Sequence, residues 1–203
     1  MAAFYQESDY ENALLELFEQ HLGYEYVCGY HIDHNVKSPL YDEVLEESIF
    51  RINKGKPYDA IKNALLTLKN FENGTLVQKN AVFTDYLQNG ISARYTENGE
   101  ERSTLIYLID WENIENNSFI CANQWTFIEN SNRRPDILLF INGLPLVLIE
   151  LKSPSREDTD ASEGYTQIRN YMHEIPSMFY YNQISVMSDQ LTSKAGTITS
   201  DET

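Results

Sequence analysis

The residues best suited to chemistry lie in one stretch, residues 133–154, which reads RRPDILLFINGLPLVLIELKSP. Asp136 precedes one apolar segment, and Glu150 and Lys152 end a second apolar segment. Residues two apart in a β-strand share a face, so Glu150 and Lys152 are predicted to point to the same side of a sheet. The sequence thus predicts an acid and a base held side by side at the end of a rigid strand.

Whether Asp136 joins this pair depends on the register of the hairpin between the two segments. A two-residue loop at Asn142-Gly143 would send the carboxylates of Asp136 and Glu150 to opposite faces. We therefore predict either a three-residue loop that adds Leu144, with a positive φ at Gly143 or its neighbour, or a β-bulge that restores the parity. Opposed Cβ atoms would then lie about 4.5–5.5 Å apart, close enough for both carboxylates to hold one hard cation.

Two carboxylates beside a lysine suit metal-assisted hydrolysis of phosphodiester bonds. Asp136 and Glu150 would bind Mg²⁺, which polarises a phosphoryl oxygen and lowers the pKa of a bound water. The Lys152 ammonium would orient that water or stabilise the developing charge. An isolated Glu-x-Lys is more often a solvated surface pair, but Pro-Asp, two apolar segments and a turn in the same stretch favour the chemical interpretation.

Pro135-Asp136 and Glu150-Leu-Lys152 together resemble the PD-(D/E)xK nuclease motif, and their surroundings are similar to the N-terminal endonuclease domain of the R subunit of type I restriction-modification enzymes. The similarity covers most of the chain and includes GYEYV at 23–27, QIRNY at 167–171 and IPSMFYYNQISVMSD at 175–189. The second of these segments resembles the QxxxY motif of the RecB-like branch of these nucleases.

The resemblance implies that Asp136 and Glu150 bind metal, that Lys152 is catalytic, and that Gln167 and Tyr171 complete the site. Helical spacing supports the last pair independently, because side chains four residues apart lie one above the other. An amphipathic helix with two polar flanking residues is the alternative explanation for this pair.

A further carboxylate often comes from the first helix in RecB-like sites, and Glu7 and Glu11 are the candidates here. They lie four residues apart and so share a helix face. Glu11 is the preferred candidate, although a solvated acidic face explains both residues equally well.

DNA contacts are predicted from two basic segments. Arg133 and Arg134 directly precede the predicted metal site, and Lys62 and Lys69 share a helix face within the basic region 51–79. A solvated helix surface explains the two lysines at least as well.

The elements that must position these residues follow from hydrophobic periodicity and from glycine and proline breaks. Helices are predicted at 5–22, 41–53, 57–70, 75–89 and about 160–174, and strands at 24–30, 91–96, 103–110, 119–129, 136–141, 145–152 and 183–188. Asn98-Gly99 is a strong hairpin signal. The order of elements predicts an α/β fold, and the resemblance implies a restriction-endonuclease-like core: a mixed sheet of about five strands, flanking helices and an N-terminal helical elaboration.

The length of 203 residues fits one nuclease domain. Within it we expect a mainly helical part at 1–90, a sheet core with the catalytic motif at 91–190, and the start of a linker or next segment at 191–203. The formal charge of −16 disfavours strong DNA binding by the chain alone, because affinity for DNA rests on Lys and Arg. No G-x-x-x-x-G-K-[ST] motif occurs, so we expect a fragment of a longer subunit whose ATP-driven motor lies elsewhere.

The sequence has neither a secretory signal nor an apolar run long enough to span a membrane, which favours a cytoplasmic protein without a membrane partner. Cys28 and Cys121 are expected to be packing thiols.

The resemblance implies Mg²⁺-dependent cleavage of double-stranded DNA within an ATP-dependent type I restriction complex. Its partners would be the chain's own C-terminal helicase-like motor domains and separate methylation and specificity subunits; ATP would be bound by the full-length subunit and not by these residues. Two alternatives stay open: a RecB-like repair or exonuclease domain, and a catalytically silent nuclease fold that serves as a DNA-binding or coupling module.

Overall fold

The computed structural model describes residues 7–152, 161–189 and 191–201. Its helices are α1 (Glu7–Glu16), α2 (Asp42–Ile52), α3 (Tyr58–Lys69), α4 (Leu76–Asn89), α5 (Ala161–Glu174) and α6 (Met178–Tyr181), with a π-helical turn at Leu17–His21 and a 3₁₀ turn at Ile114–Asn116. Its strands are β1 (Glu25–Cys28), β2 (Ile91–Glu97), β3 (Glu100–Ile106), β4 (Phe119–Asn123), β5 (Phe127–Ile128), β6 (Asn132–Arg133), β7 (Ile137–Ile141), β8 (Leu144–Leu151), β9 (Ile184–Ser188) and β10 (Ser193–Gly196).

Six of these strands form a central mixed sheet in the order β1-β4-β7-β8-β9-β10. The β1–β4 and β8–β9 pairs are parallel, and the β4–β7, β7–β8 and β9–β10 pairs are antiparallel. Helices flank this sheet, which confirms the predicted restriction-endonuclease-like α/β class. The sheet has one strand more than the five expected, because residues 193–196 pair with β9 where we expected a linker or next segment to begin.

The β2–β3 hairpin is not part of the central sheet, although we assigned its residues to the sheet core. Its Asn98-Gly99 turn has positive φ at both residues, as the hairpin signal predicts. The predicted strand 119–129 is also divided, because Gln124 adopts a positive φ of 52° between β4 and β5.

The two faces of the central sheet are covered by different helices. Helix α5 packs Ile168 and Met172 against one face, in a cluster with Leu138 and Leu148. Helix α1 packs on the opposite face, where Leu15 lies in a cluster with the odd-numbered residues Ile137, Leu139, Ile149 and Leu151. This alternation is the two-residue period of a strand that is buried on both sides.

A β-bulge in the β7–β8 hairpin sets the register between Asp136 and Glu150. Its loop has two residues, Asn142 and Gly143, at φ values of 52° and 77°, so the predicted three-residue loop is wrong. Phe140 pairs with Pro145, but Leu139 pairs with Val147. One extra residue of β8, Leu146, therefore lies between the two pairs.

The bulge restores the parity that brings Asp136 to Glu150. Beyond it, Ile137 pairs with Ile149, so the residues that flank this pair, Asp136 and Glu150, share a face. The Leu146 carbonyl accepts the Gln183 backbone N–H at 2.8 Å, which satisfies a group that the bulge takes out of the regular ladder.

The turn end of the hairpin is fixed against α2. The Tyr41 backbone N–H donates to the Gly143 carbonyl at 2.9 Å. A Cβ atom at residue 143 would lie 2.6 Å from both the Tyr41 carbonyl oxygen and the Leu45 nitrogen, so only glycine fits there.

Both cysteines, Cys28 and Cys121, are free thiols, and Cys121 is buried. Across the helices of the described residues, none combines the length and the apolar character needed to cross a bilayer.

Candidate active site

The two carboxylates lie where β7 begins and β8 ends. The Leu151 backbone N–H donates to Asp136 Oδ2 at 2.7 Å, which holds the Asp136 side chain beside the end of β8. Glu150 is completely buried, with 0% of its surface exposed. The structure thus brings together the two acids that the bulge places on one face.

Helix α5 brings Gln167 and Tyr171 to the same carboxylate. Gln167 Nε2 donates to Glu150 Oε2 at 2.5 Å and to the Tyr171 hydroxyl oxygen at 2.9 Å. The helix can approach the sheet closely because Gly164 faces β9, where a Cβ atom would lie 2.5 Å from Met187 Sδ. Helical spacing therefore places this pair as predicted, in contact with Glu150.

Lys152 lies on the same side as Glu150, with Nζ 3.8 Å from Glu150 Oε2. Its backbone N–H donates to the Ser188 carbonyl at 2.9 Å, which ties it to the end of β9. The Ser188 hydroxyl lies 2.7 Å from the Tyr10 hydroxyl of α1. The sequence does not predict this contact, because nothing in the local pattern indicates which strand a tyrosine hydroxyl will reach.

Burial and charge together perturb the Glu150 carboxyl. Burial is the largest cause that raises its pKa, to about 8, and the nearby Asp136 charge raises it further. Lys152 and a hydrogen bond from the Tyr171 hydroxyl act in the opposite direction. Burial, followed by the Glu150 charge, also raises the pKa of Tyr171, so its phenol stays protonated.

The donor set fits a hard divalent cation. Glu150 Oε1 is buried and has no hydrogen-bond partner among the described residues. Mg²⁺ is commonly held by one or two carboxylates and several waters, so Asp136 and Glu150 meet its ordinary requirement. Within residues 7–152, 161–189 and 191–201 no cluster of three or more His, Cys, Asp or Glu residues occurs, so the described residues do not form a multi-ligand zinc-type cage.

The preferred first-helix carboxylate, Glu11, bonds a side chain at the end of β4. Glu11 Oε1 accepts a hydrogen bond from Asn123 Nδ2 at 2.8 Å, and α1 packs on the face of the sheet opposite α5. Asn123 Oδ1 in turn accepts from the Tyr26 hydroxyl at 3.0 Å. The side chain of Glu7 lies outside the part of the chain that the structure describes.

Three of the four predicted DNA-binding residues are paired with acids. Arg133 forms a double ion pair with Glu174, Lys62 pairs with Glu46, and Lys69 pairs with Asp42 at 2.5 Å. Arg134 is exposed beside the site. Each of these ion pairs joins residues that are far apart in the sequence, so no local pattern predicts it.

The fold and the cluster of Asp136, Glu150, Lys152 and Gln167 together define a restriction-endonuclease-like α/β domain. The comparison with known families agrees: the sequence model described as "Type I restriction enzyme R protein N terminus" matches residues 4–203. The chain belongs to this family of R protein N termini, as the resemblance implied.

Curated relatives support the same assignment. The chain is 32% identical over 205 residues to the type I restriction enzyme HindI endonuclease subunit of Haemophilus influenzae, covering 96% of this chain and 19% of that protein. It is 34% identical over 201 residues to a Methanocaldococcus jannaschii protein described as an endonuclease subunit of the same enzyme class, covering 94% and 19% respectively. The chain therefore spans about a fifth of the length of these relatives.

Proposed function

We propose that this chain is a Mg²⁺-dependent endonuclease domain that cleaves phosphodiester bonds of double-stranded DNA. The observation that carries the proposal is the Glu150 carboxyl, which is fully buried, shares a face with Asp136 and leaves Oε1 without a hydrogen-bond partner among the described residues. A buried polar atom without a partner costs free energy, and a bound cation would remove that cost.

Asp136 and Glu150 would hold the metal, which when bound supplies a Lewis acid for a phosphoryl oxygen and a water of lowered pKa. Gln167 fixes one oxygen of Glu150 and leaves the other available. Lys152 provides a positive charge at the same edge, where negative charge develops on a phosphate under attack. Because burial raises the pKa of Glu150, its carboxyl is protonated near neutral pH until a cation favours the charged form.

The proposal extends to the assembly in which the domain works. The relatives are named as endonuclease subunits of type I restriction enzymes, and this chain spans about a fifth of their length. We propose that C-terminal helicase-like motor domains of the same polypeptide bind ATP and bring DNA to the site, with separate methylation and specificity subunits in the cytoplasm. The charge of −16 supports this division of labour, because the nuclease domain by itself repels DNA beyond close range.

Substitution of the site residues tests the proposal. Asp136→Ala, Glu150→Gln and Lys152→Ala, each in the full complex, should lower plasmid cleavage by at least about 10³-fold, because each removes charge from the reacting centre. ATP hydrolysis and translocation should persist. Cleavage is measured as the conversion of supercoiled plasmid to open-circular and linear forms in the presence of Mg²⁺.

Two variants serve as matched controls. Asp189 Oδ1 accepts backbone N–H groups from Leu191 and Thr192, much as Asp136 accepts one from Leu151, so Asp189→Ala separates loss of a backbone contact from loss of chemistry. Lys194→Ala removes an exposed lysine on β10 of the same sheet. Both controls should retain cleavage.

Full cleavage by all three site variants would contradict the proposed site. A complex that never cleaves in Mg²⁺ would indicate the silent coupling module. Cleavage that proceeds from DNA ends without the methylation and specificity subunits would indicate the RecB-like exonuclease.

A further inference from the structure

A cleft of about 390 Å³ combines three lysines with aromatic rings. Lys37, Lys69 and Lys79 line it, together with Phe71 and Tyr180. None of its lining residues is acidic, although the chain has 31 acidic and 15 basic residues. The three lysines come from separate elements: Lys37 from the segment before α2, Lys69 from the end of α3 and Lys79 from α4.

The lysines of this cleft differ in whether a carboxylate already neutralises them. Lys69 is paired with Asp42 at 2.5 Å. Across the described residues, neither Lys37 nor Lys79 forms a salt bridge with a carboxylate, in contrast to Lys62, which pairs with Glu46. Two of the three ammonium groups are therefore available to an incoming anion.

Lys79 is held in place by an aromatic partner rather than by an acid. Its Nζ lies 4.5 Å from the centroid of the Tyr180 ring and donates to the Tyr180 hydroxyl oxygen at 3.3 Å. A cation–π contact orients the ammonium without cancelling its charge. The group is thus positioned before any ligand arrives, which lowers the entropy cost of binding.

The cleft lies at the turn end of the β7–β8 hairpin, away from the carboxylates. Leu40 lines the cleft, and the adjacent Tyr41 bonds Gly143 in the turn. Strand β8 runs from Leu144 to Leu151, so Glu150 lies about 20 Å from the turn along the sheet. This length corresponds to about six base pairs of duplex DNA.

We propose that Lys37 and Lys79 bind the phosphate backbone of duplex DNA at the turn end of the β7–β8 hairpin, away from the bond that is cut. This inference rests on the proposed nuclease function and adds a second contact that fixes the direction of the duplex. A cleft that is lined by lysines from three separate elements suits a polyanion with many charges, such as a phosphate backbone. Phosphate contacts of this kind position a duplex without reading its sequence.

Lysine footprinting tests the contact directly. The experiment uses full-length protein with Glu150→Gln, a substitution that prevents cleavage. The protein is treated with an amine-acylating reagent in the presence and absence of a duplex of about 15 base pairs. Mass spectrometry then measures the extent of acylation of each lysine. Acylation of Lys37 and Lys79 should fall several-fold in the presence of DNA, while exposed Lys54, outside the cleft, should not change. Equal acylation of the two cleft lysines with and without DNA would overturn the inference.

Two other anions identify the chemistry that the cleft recognises. Polyglutamate and inorganic phosphate replace the duplex at matched charge concentration. Protection by DNA alone supports the assignment to the phosphate backbone. Protection by polyglutamate overturns it in favour of an acidic protein segment, and equal protection by inorganic phosphate overturns it in favour of a single-anion site.

Salt dependence gives a second readout in the full-length protein. Lys37→Ala combined with Lys79→Ala should make the slope of log K against log salt less steep by about 0.9 for each lost phosphate contact. Lys54→Ala with Lys194→Ala removes the same charge elsewhere and should leave the slope unchanged. Equal slopes for the two double variants would overturn the inference. Cleavage by the Asp136 and Lys152 variants would instead contradict the proposed nuclease site. In that case the acylation of Lys37 and Lys79 would still show whether DNA occupies the cleft.

Discussion

The β7–β8 hairpin buries a polar side chain at each end, and the two ends differ in how completely that side chain is satisfied. At the turn, Asn142 is 0% exposed, and its Nδ2 donates to the Leu108 carbonyl at 2.9 Å and to Asn117 Oδ1 at 2.8 Å. Its Oδ1 accepts the Ser118 backbone N–H at 2.8 Å. Every donor of this amide has a partner, as is usual for a buried group that only supports the fold.

At the open end, Glu150 is equally buried but only half satisfied. Oε2 accepts from Gln167, and Oε1 has no partner among the described residues. Burial, followed by the nearby Asp136 charge, raises the pKa of this carboxyl to about 8. Burial alone therefore does not separate a structural from a functional polar group, whereas incomplete satisfaction combined with a shifted pKa is typical of functional sites.

The largest expected effect is a pH dependence of stability that belongs to Glu150. Its folded pKa of about 8 exceeds the unfolded value of 4.5, so the folded chain keeps a proton between these two pH values that the unfolded chain loses. The free energy of unfolding in EDTA should therefore be highest below pH 4.5 and fall up to pH 8, by on the order of 4 kcal/mol relative to Glu150→Gln. Urea unfolding at several pH values measures the difference.

The Gln variant is the control, because it cannot lose a proton and shares every other titrating group with the wild type. Mg²⁺ at pH 8 should raise the stability of the wild type and leave that of Glu150→Gln nearly unchanged, since only the wild type can provide the charged ligand. Parallel pH curves for the two proteins in EDTA would contradict the assigned origin of the raised pKa.

A somewhat smaller effect is expected at the satisfied end of the hairpin. Asn142→Gly tolerates the positive φ but removes three hydrogen bonds of a buried amide, so the free energy of unfolding should fall by about 3 kcal/mol. Asn98→Gly is the matched control, because Asn98 occupies the same position of a two-residue turn, at a φ of 54°, but is exposed. The control should change stability by only a few tenths of a kcal/mol, and thermal or urea unfolding measures both.

Equal destabilisation by the two glycine variants would show that the turn conformation, and not the buried amide network, stabilises this end. Cleavage per folded molecule should stay unchanged in Asn142→Gly, because the carboxylates lie about 20 Å away along β8.

The sequence was sufficient to predict most helices and strands, because amphipathic helices and buried strands carry strong periodicities. The hairpin shows what it could not predict. Asn142-Gly143 is the typical pair for a two-residue turn, and Pro145, in a central strand, is a residue found at bulges. These two signals together favour the observed bulge, but its place at Leu146 also depends on the Gln183 backbone N–H, which approaches only in the folded chain.

The candidate site divides in the same way. Glu150, Lys152, Gln167 and Tyr171 could be grouped from strand and helix spacing together with the family resemblance, and the structure places all four within one network of contacts. Their roles in catalysis stay predictions. The pairing of Glu11 with Asn123 arises between distant segments, so no local pattern predicts it.

The smallest expected effect comes from the Tyr171 hydroxyl. This group accepts from Gln167, and its hydrogen bond to Glu150 lowers the pKa of that carboxyl. Tyr171→Phe should therefore raise the pKa of Glu150, move the pH optimum of cleavage to higher pH and lower the rate near pH 7.5 by about 5–10-fold, equivalent to about 1 kcal/mol. Tyr165→Phe, whose hydroxyl instead bonds the Ser200 carbonyl at 3.4 Å, should keep the wild-type profile. If Tyr171 acts through Glu150, the cleavage rate of Tyr171→Phe should recover as the pH rises. An equal loss of rate at every pH would instead mean that Tyr171 only packs α5 against the sheet.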